Sequence, residues 1–122
     1  MVLMPNEPTP VEVALTPRFK KDLRTLVKRY RRIRSDLQPL IQQLEAGELP
    51  GDQIPGMQLT LFKVRLRNSD IQKGKSGGYR VIYYVQTQTQ IILVTMYSKS
   101  DQADVDMNTI TAALAQYDQD FE

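Results

Sequence analysis

The chain has 122 residues, 41% hydrophobic and 25% charged, with a net charge of +2 and neither cysteine nor histidine. Such a composition belongs to a globular protein large enough for one core, so a single domain over residues 1–122 is expected. The missing residue types exclude a disulfide framework, cysteine zinc sites, and Ser-His-Asp or Cys-His catalysis.

The start MVLMPNEPTP lacks the basic and apolar regions of a secretory leader, and no window reaches the ~18 continuous apolar residues of a membrane span. A cytoplasmic protein without a membrane partner is the expectation. Residues 1–10 read as a loose, proline-rich arm, and residues 11–15 as an edge strand. Thr16-Pro17 is a helix start, with a capping hydroxyl and a proline where its missing N–H costs nothing. Phe19, Leu23, Leu26, Val27, Tyr30 and Ile33 then recur at helical spacing. Ser35-Asp36 reads as a second N-cap, followed by Leu37, Leu40, Ile41 and Leu44 on one stripe and stopped by Gly47. Two adjacent helices of this kind form an αα-hairpin.

Pro50-Gly51 and Pro55-Gly56 mark a loop, after which strands are expected at about 59–67, 79–85 and 90–97. A last helix carries Ile110, Ala113, Leu114, Tyr117 and Phe121 on one stripe. The order predicts an α+β fold: a small antiparallel sheet, an N-terminal αα-hairpin and a C-terminal helix, with the helices on one face.

Charge is segregated along this frame. Residues 18–34 hold nine Lys/Arg against Asp22, residues 63–99 hold seven against Asp70, and six carboxylates follow from residue 100. Side chains alternate along a strand, so Phe62, Val64 and Leu66 share one face, and Lys63, Arg65 and Arg67 the other. The three cations stand about 7 Å apart at ~3.3 Å per residue. Burying them unpartnered would be costly, and their spacing resembles that of phosphates along a single strand. An anionic polymer is the expected partner. The long loop 68–78 adds Lys73 and Lys75 among glycines, suited to backbone-directed contact with nucleic acid. The acidic tail can also lie over this surface and weaken RNA binding.

Gly74-Lys75-Ser76 is not a phosphate loop. Ser69 stands where the first glycine is needed, and a strand follows instead of a helix. Metal-dependent phosphodiester cleavage needs clustered carboxylates, and the sheet region offers only Asp70, so neither a metal nor a cofactor is expected. Any chemistry there falls to Lys, Arg and Tyr. A lysine or tyrosine would move protons at the 2′-hydroxyl and the leaving oxygen, while arginines stabilise the charged phosphorane. Tyr97 and Lys99 close the third strand and can stand near Arg65 and Arg80.

The runs FKVRLRN, GKSGGYRVIYYV and IILVTMYSKSDQADV, in this order, resemble the RelE/ParE superfamily of type II toxins, most closely its RelE/HigB branch, over about residues 12–115. The resemblance implies a ribosome-dependent endoribonuclease that cuts translated mRNA in the ribosomal A site, contacts ribosomal RNA, and is held inactive by a cognate antitoxin. The family's basic positions on the strand after the helical hairpin fall on Lys63 and Arg65, and its arginine opening the next strand on Arg80. The positions at the end of the last strand fall on Tyr97 and Lys99. The catalytic set is then Arg65, Arg80, Tyr97 and Lys99, with Lys63, Arg67, Lys73 and Lys75 on the RNA backbone. Two positions depart from the pattern: Ser100 stands where RelE has an arginine, and Asp106 where it has a tyrosine. A ParE-like inhibitor of DNA gyrase and a catalytically degenerate, antitoxin-binding member are the alternatives on the same fold.

Overall fold

The computed structural model describes residues 10–56, 58–71 and 77–120. Residues 1–9 of the expected arm, and Phe121, lie outside them. The elements run β1 (Glu12–Leu15), α1 (Pro17–Val27), α2 (Ile33–Glu45), β2 (Asp52–Gln53), β3 (Leu61–Leu66), β4 (Tyr79–Thr87), β5 (Gln90–Ser98) and α3 (Met107–Asp120). The strands form one sheet in the order β1-β5-β4-β3-β2. β1 is the expected edge strand, paired in parallel with β5, and the other pairs are antiparallel. The two-residue β2 covers the far edge and was not foreseen.

The helices occupy both faces of the sheet, against the expectation of one. Phe19, Leu26, Ile33, Leu37, Leu40 and Leu44 of α1 and α2 pack on Val64, Tyr79, Val81, Tyr83, Ile91, Leu93 and Met96. Ile110, Ala113, Leu114 and Tyr117 of α3 pack with Leu61, Ile82, Ile92 and Val94 in a separate cluster. Strands buried on both faces read as continuous apolar runs instead of alternating ones, and Ile91-Ile92-Leu93-Val94 is such a run.

Helix ends follow local chemistry. Thr16 Oγ1 accepts from the Phe19 amide at 2.9 Å, with Pro17 in the first helical position. α2 starts at Ile33, two residues before the expected cap, and Arg32 supplies no side-chain cap. Asp36 instead accepts from the Ser69 amide, and Asp70 from the Arg32 amide, both at 2.9 Å. The carboxylates thus tie α2 to the turn after β3. Pro39 lies inside α2. Its missing N–H is tolerated on an exposed face. At the other end the Gly47 amide donates to Leu44 O and the Glu48 amide to Gln43 O. That is the Schellman arrangement, with Gly47 at φ +90° where a side chain would be strained.

One irregularity decides where the strand end of β5 points. Ile82 of β4 pairs with Thr95, but Tyr83 pairs with Leu93, so Val94 is an extra residue in β5. A bulge of one residue flips the facing of everything beyond it. Before it, Ile92 stands opposite Tyr84; after it, Thr95 and Tyr97 stand opposite Ile82 and Arg80. A regular strand would have put Met96 on the cationic face and Tyr97 in the core under α1 and α2. Thr16 holds the bulge: its amide donates to Leu93 O at 3.1 Å and its hydroxyl to Val94 O at 2.6 Å. Asp22 of α1 holds the next residues, accepting from Thr95 Oγ1 at 2.5 Å and the Met96 amide at 3.1 Å.

Thr16→Val loses a cap of about 1 kcal/mol and a buried hydrogen bond of about 1 kcal/mol. Urea unfolding is expected to show a loss of about 2 kcal/mol from these two sources, most of it restored by Thr16→Ser.

Candidate functional site

The site is built at one end of the sheet, beyond the patch on which the α3 stripe packs. Arg65 of β3, Arg80 of β4 and Tyr97 of β5 occupy one level across three neighbouring strands. Directly paired side chains on adjacent strands have Cβ atoms about 5 Å apart, so the three groups form a short row. Lys63 projects on the same face one step along β3, opposite Ile82. Gly78 permits the close approach of the strands here. A Cβ at that position would sit 2.0 Å from the Leu66 carbonyl oxygen.

The members of the row differ in exposure. Arg65 is open to solvent. Arg80 and Tyr97 are only 6% and 5% exposed, so they form the floor and not the rim. Arg80 donates to its neighbour's carbonyl, Tyr79 O, at 3.1 Å. The Tyr97 hydroxyl donates to Asp104 Oδ1 at 3.3 Å. Its phenol is pushed up to about 12, first by burial and then by the Asp104 charge and hydrogen bond, with Arg80 pulling the other way. At neutral pH Tyr97 is therefore a proton donor. The other sequence-predicted residues are less uniform in placement. Lys99 lies in the turn after β5 and sends its ammonium to Ala103 O at 3.0 Å. Arg67 is exposed but stands past the end of β3, outside the strand row in which it was expected. Lys73 and Lys75 lie outside the described residues.

Asp104 is the functional-site residue that the sequence reading missed. The sheet region offered only Asp70, which is occupied at the start of α2. The loop after β5 instead brings a carboxylate over the site. Asp104 Oδ1 also lies 3.5 Å from Lys63 Nζ and accepts from the Val105 amide at 2.8 Å. The Val105 hydrogen bond, more than Lys63 and Tyr97, holds this carboxyl below the usual carboxylate range. The only sequence signal was the recurrence of Asp101, Asp104 and Asp106 just after Lys99 and the end of β5. Each has its own use: Asp101 pairs with Arg29 of the α1–α2 connection at 2.8 Å, and Asp106 accepts from the Thr109 amide at 2.8 Å. Asp106 thereby caps the start of α3, which accounts for a carboxylate in that position. On the other side of Tyr97, a cavity of about 230 Å³ opens between α1 and β5. Arg18 and Lys21 line it, with Met96 and Leu26 among its apolar walls.

The ParE toxin of type II toxin–antitoxin systems (parDE) is the family whose profile matches residues 13–103. The chain belongs to this toxin family, and so to the RelE/ParE superfamily that the strand motifs resemble. No curated protein matches it. A type II toxin has an antitoxin as its partner. Among the described residues, no helix is long and apolar enough to cross a membrane.

The Tyr97 phenol ionises in the unfolded chain near its ordinary value of 10.0 and in the folded chain at about 12. The unfolded state therefore releases the proton first, and this contribution to stability is lost as pH rises through that window. Ultraviolet titration of wild type against Tyr97→Phe is expected to give a difference curve centred near pH 12. A midpoint near the ordinary tyrosine value would contradict the burial and the Asp104 contact.

Proposed function

We propose that this toxin is a ribosome-dependent endoribonuclease of the RelE/HigB branch that cleaves translated mRNA in the A site. The observation that carries the reading is the row Arg65, Arg80 and Tyr97 on three adjacent strands, with Lys63 beside it. Two guanidiniums and a neutral phenol converge on one small area, which suits a phosphodiester passing through a charged phosphorane. In this reading the 2′-oxygen attacks the adjacent phosphorus and the bond to the 5′-oxygen breaks, leaving a 2′,3′-cyclic phosphate. Arg65 and Arg80 neutralise the phosphorane oxygens. Tyr97, kept protonated by burial, gives its proton to the departing 5′-oxygen. Lys99, at the same strand end, is the candidate to take the 2′-hydroxyl proton as a free amine, released from Ala103 O. Lys63 and Arg67, with Lys73 and Lys75, hold messenger or ribosomal RNA through backbone charge. The antitoxin silences the protein by covering this face.

Expression from a tightly controlled promoter, with mRNA 5′ ends mapped, tests the reading. New ends inside reading frames, lost when initiation is blocked, are expected. Arg65→Ala, an exposed position, is expected to lower cleavage about 10²-fold. Tyr97→Phe keeps the ring in place and is expected to cost about 10²-fold or more. Growth arrest with intact transcripts and inhibited gyrase supercoiling would replace this reading with a ParE-like one.

A further inference from the structure

The sequence reading gave the acidic tail as a possible cover for the cationic surface. Among the described residues, Asp104 is the tail carboxylate that meets a cation of the sheet face. A single oxygen, Asp104 Oδ1, meets Lys63 Nζ at 3.5 Å, the Tyr97 hydroxyl at 3.3 Å and the Val105 amide at 2.8 Å. Lys63 and Tyr97 come from strands that are not neighbours, β3 and β5, so only an anion above the face can meet both. The loop that delivers it is anchored on both sides. Lys99 Nζ donates to Ala103 O, Gln102 Nε2 donates to Asp104 O at 2.9 Å, and Asp101 pairs with Arg29. The contact itself is open to water. The Lys63 side chain is 38% exposed and that of Asp104 64%, so the pair is weak and exchangeable.

We infer that Lys63 and Tyr97 form an anion subsite for an RNA phosphate, and that the Asp104 carboxylate is its internal occupant, which incoming RNA must displace. The inference rests on the nucleic-acid reading of this face, but concerns binding and not cleavage. A carboxylate in that position lowers affinity twice over: it occupies the donors and repels the phosphate. Its removal strengthens RNA binding, and Lys63 is needed for the gain.

The test uses the full chain and a short single-stranded 2′-O-methyl oligonucleotide, which lacks the attacking hydroxyl, with affinity read by fluorescence anisotropy. Asp104→Asn keeps an oxygen for the Val105 amide while removing the charge. Glu45→Gln, on exposed α2 at the opposite face of the sheet, makes the same change in net charge elsewhere. Asp104→Asn is expected to tighten binding about five-fold, the scale of a surface ion pair, and to steepen the log–log salt slope by about 0.7. Glu45→Gln is expected to change affinity less than about two-fold, as a distant charge screened by salt does. In a Lys63→Ala background the gain from Asp104→Asn should fall below about two-fold, the part left to repulsion and the Tyr97 hydroxyl. Equal effects of Asp104→Asn and Glu45→Gln, a gain undiminished by Lys63→Ala, or weaker binding by Asp104→Asn would each overturn the inference. A Lys63-dependent gain in a protein that makes no mRNA cuts would retain the subsite and discard the nuclease.

Discussion

The extra residue Val94 in β5 is the constraint on which the candidate site depends. Without it, the facing of the strand end would reverse, placing Tyr97 under α1 and α2 and Met96 beside Arg80. The bulge is held from outside the sheet, by the cap residue of α1 and by Asp22 six residues later. Thr16 thus joins three tasks in one side chain: it starts α1, bonds the bulged backbone, and sits where the chain leaves β1. The site geometry is consequently linked to the packing of α1 on the sheet, and a change in either should be felt in the other.

Carboxylates organise the cationic part of the molecule more than the net charge suggests. Asp22 sits on β5, Asp36 and Asp70 join α2 to the turn after β3, Asp101 ties the loop after β5 to the α1–α2 connection, and Asp104 brings it over the sheet. Among the described residues, they leave Arg65, Arg67 and most of the basic residues of α1 and α2 open to solvent. The cationic face is therefore partly self-screened, with its buried members, Arg80 and Tyr97, beneath the exposed ones. A ligand that reaches the Tyr97 hydroxyl from the Lys63 side meets Asp104 first.

Much of this was legible in the sequence, for identifiable reasons. Strict alternation made the Lys63/Arg65 face of β3 readable, and Thr16-Pro17 and Gly47 marked helix ends through local backbone chemistry. The pairing of Arg65, Arg80 and Tyr97 followed from strand order, although the bulge that makes it work left no signature in Ile-Ile-Leu-Val-Thr. Three features escaped because they depend on distant partners. α2 begins before Ser35-Asp36 because Asp36 is engaged by Ser69. α3 crosses to the second face because β4 and β5 are apolar on both. Asp104 reaches Lys63 across 41 residues of chain, with no spacing to announce it.

The proposed function requires RNA to meet this protein on the Arg65–Arg80–Tyr97 end of the sheet. Backbone amide shifts followed by NMR during titration with a non-cleavable single-stranded RNA address it residue by residue. The amides of Lys63, Arg65, Arg80, Tyr97 and residues 103–105 are then expected to shift together and saturate at one RNA concentration. Perturbations confined to the basic surface of α1 and α2, with those residues unmoved, would contradict it.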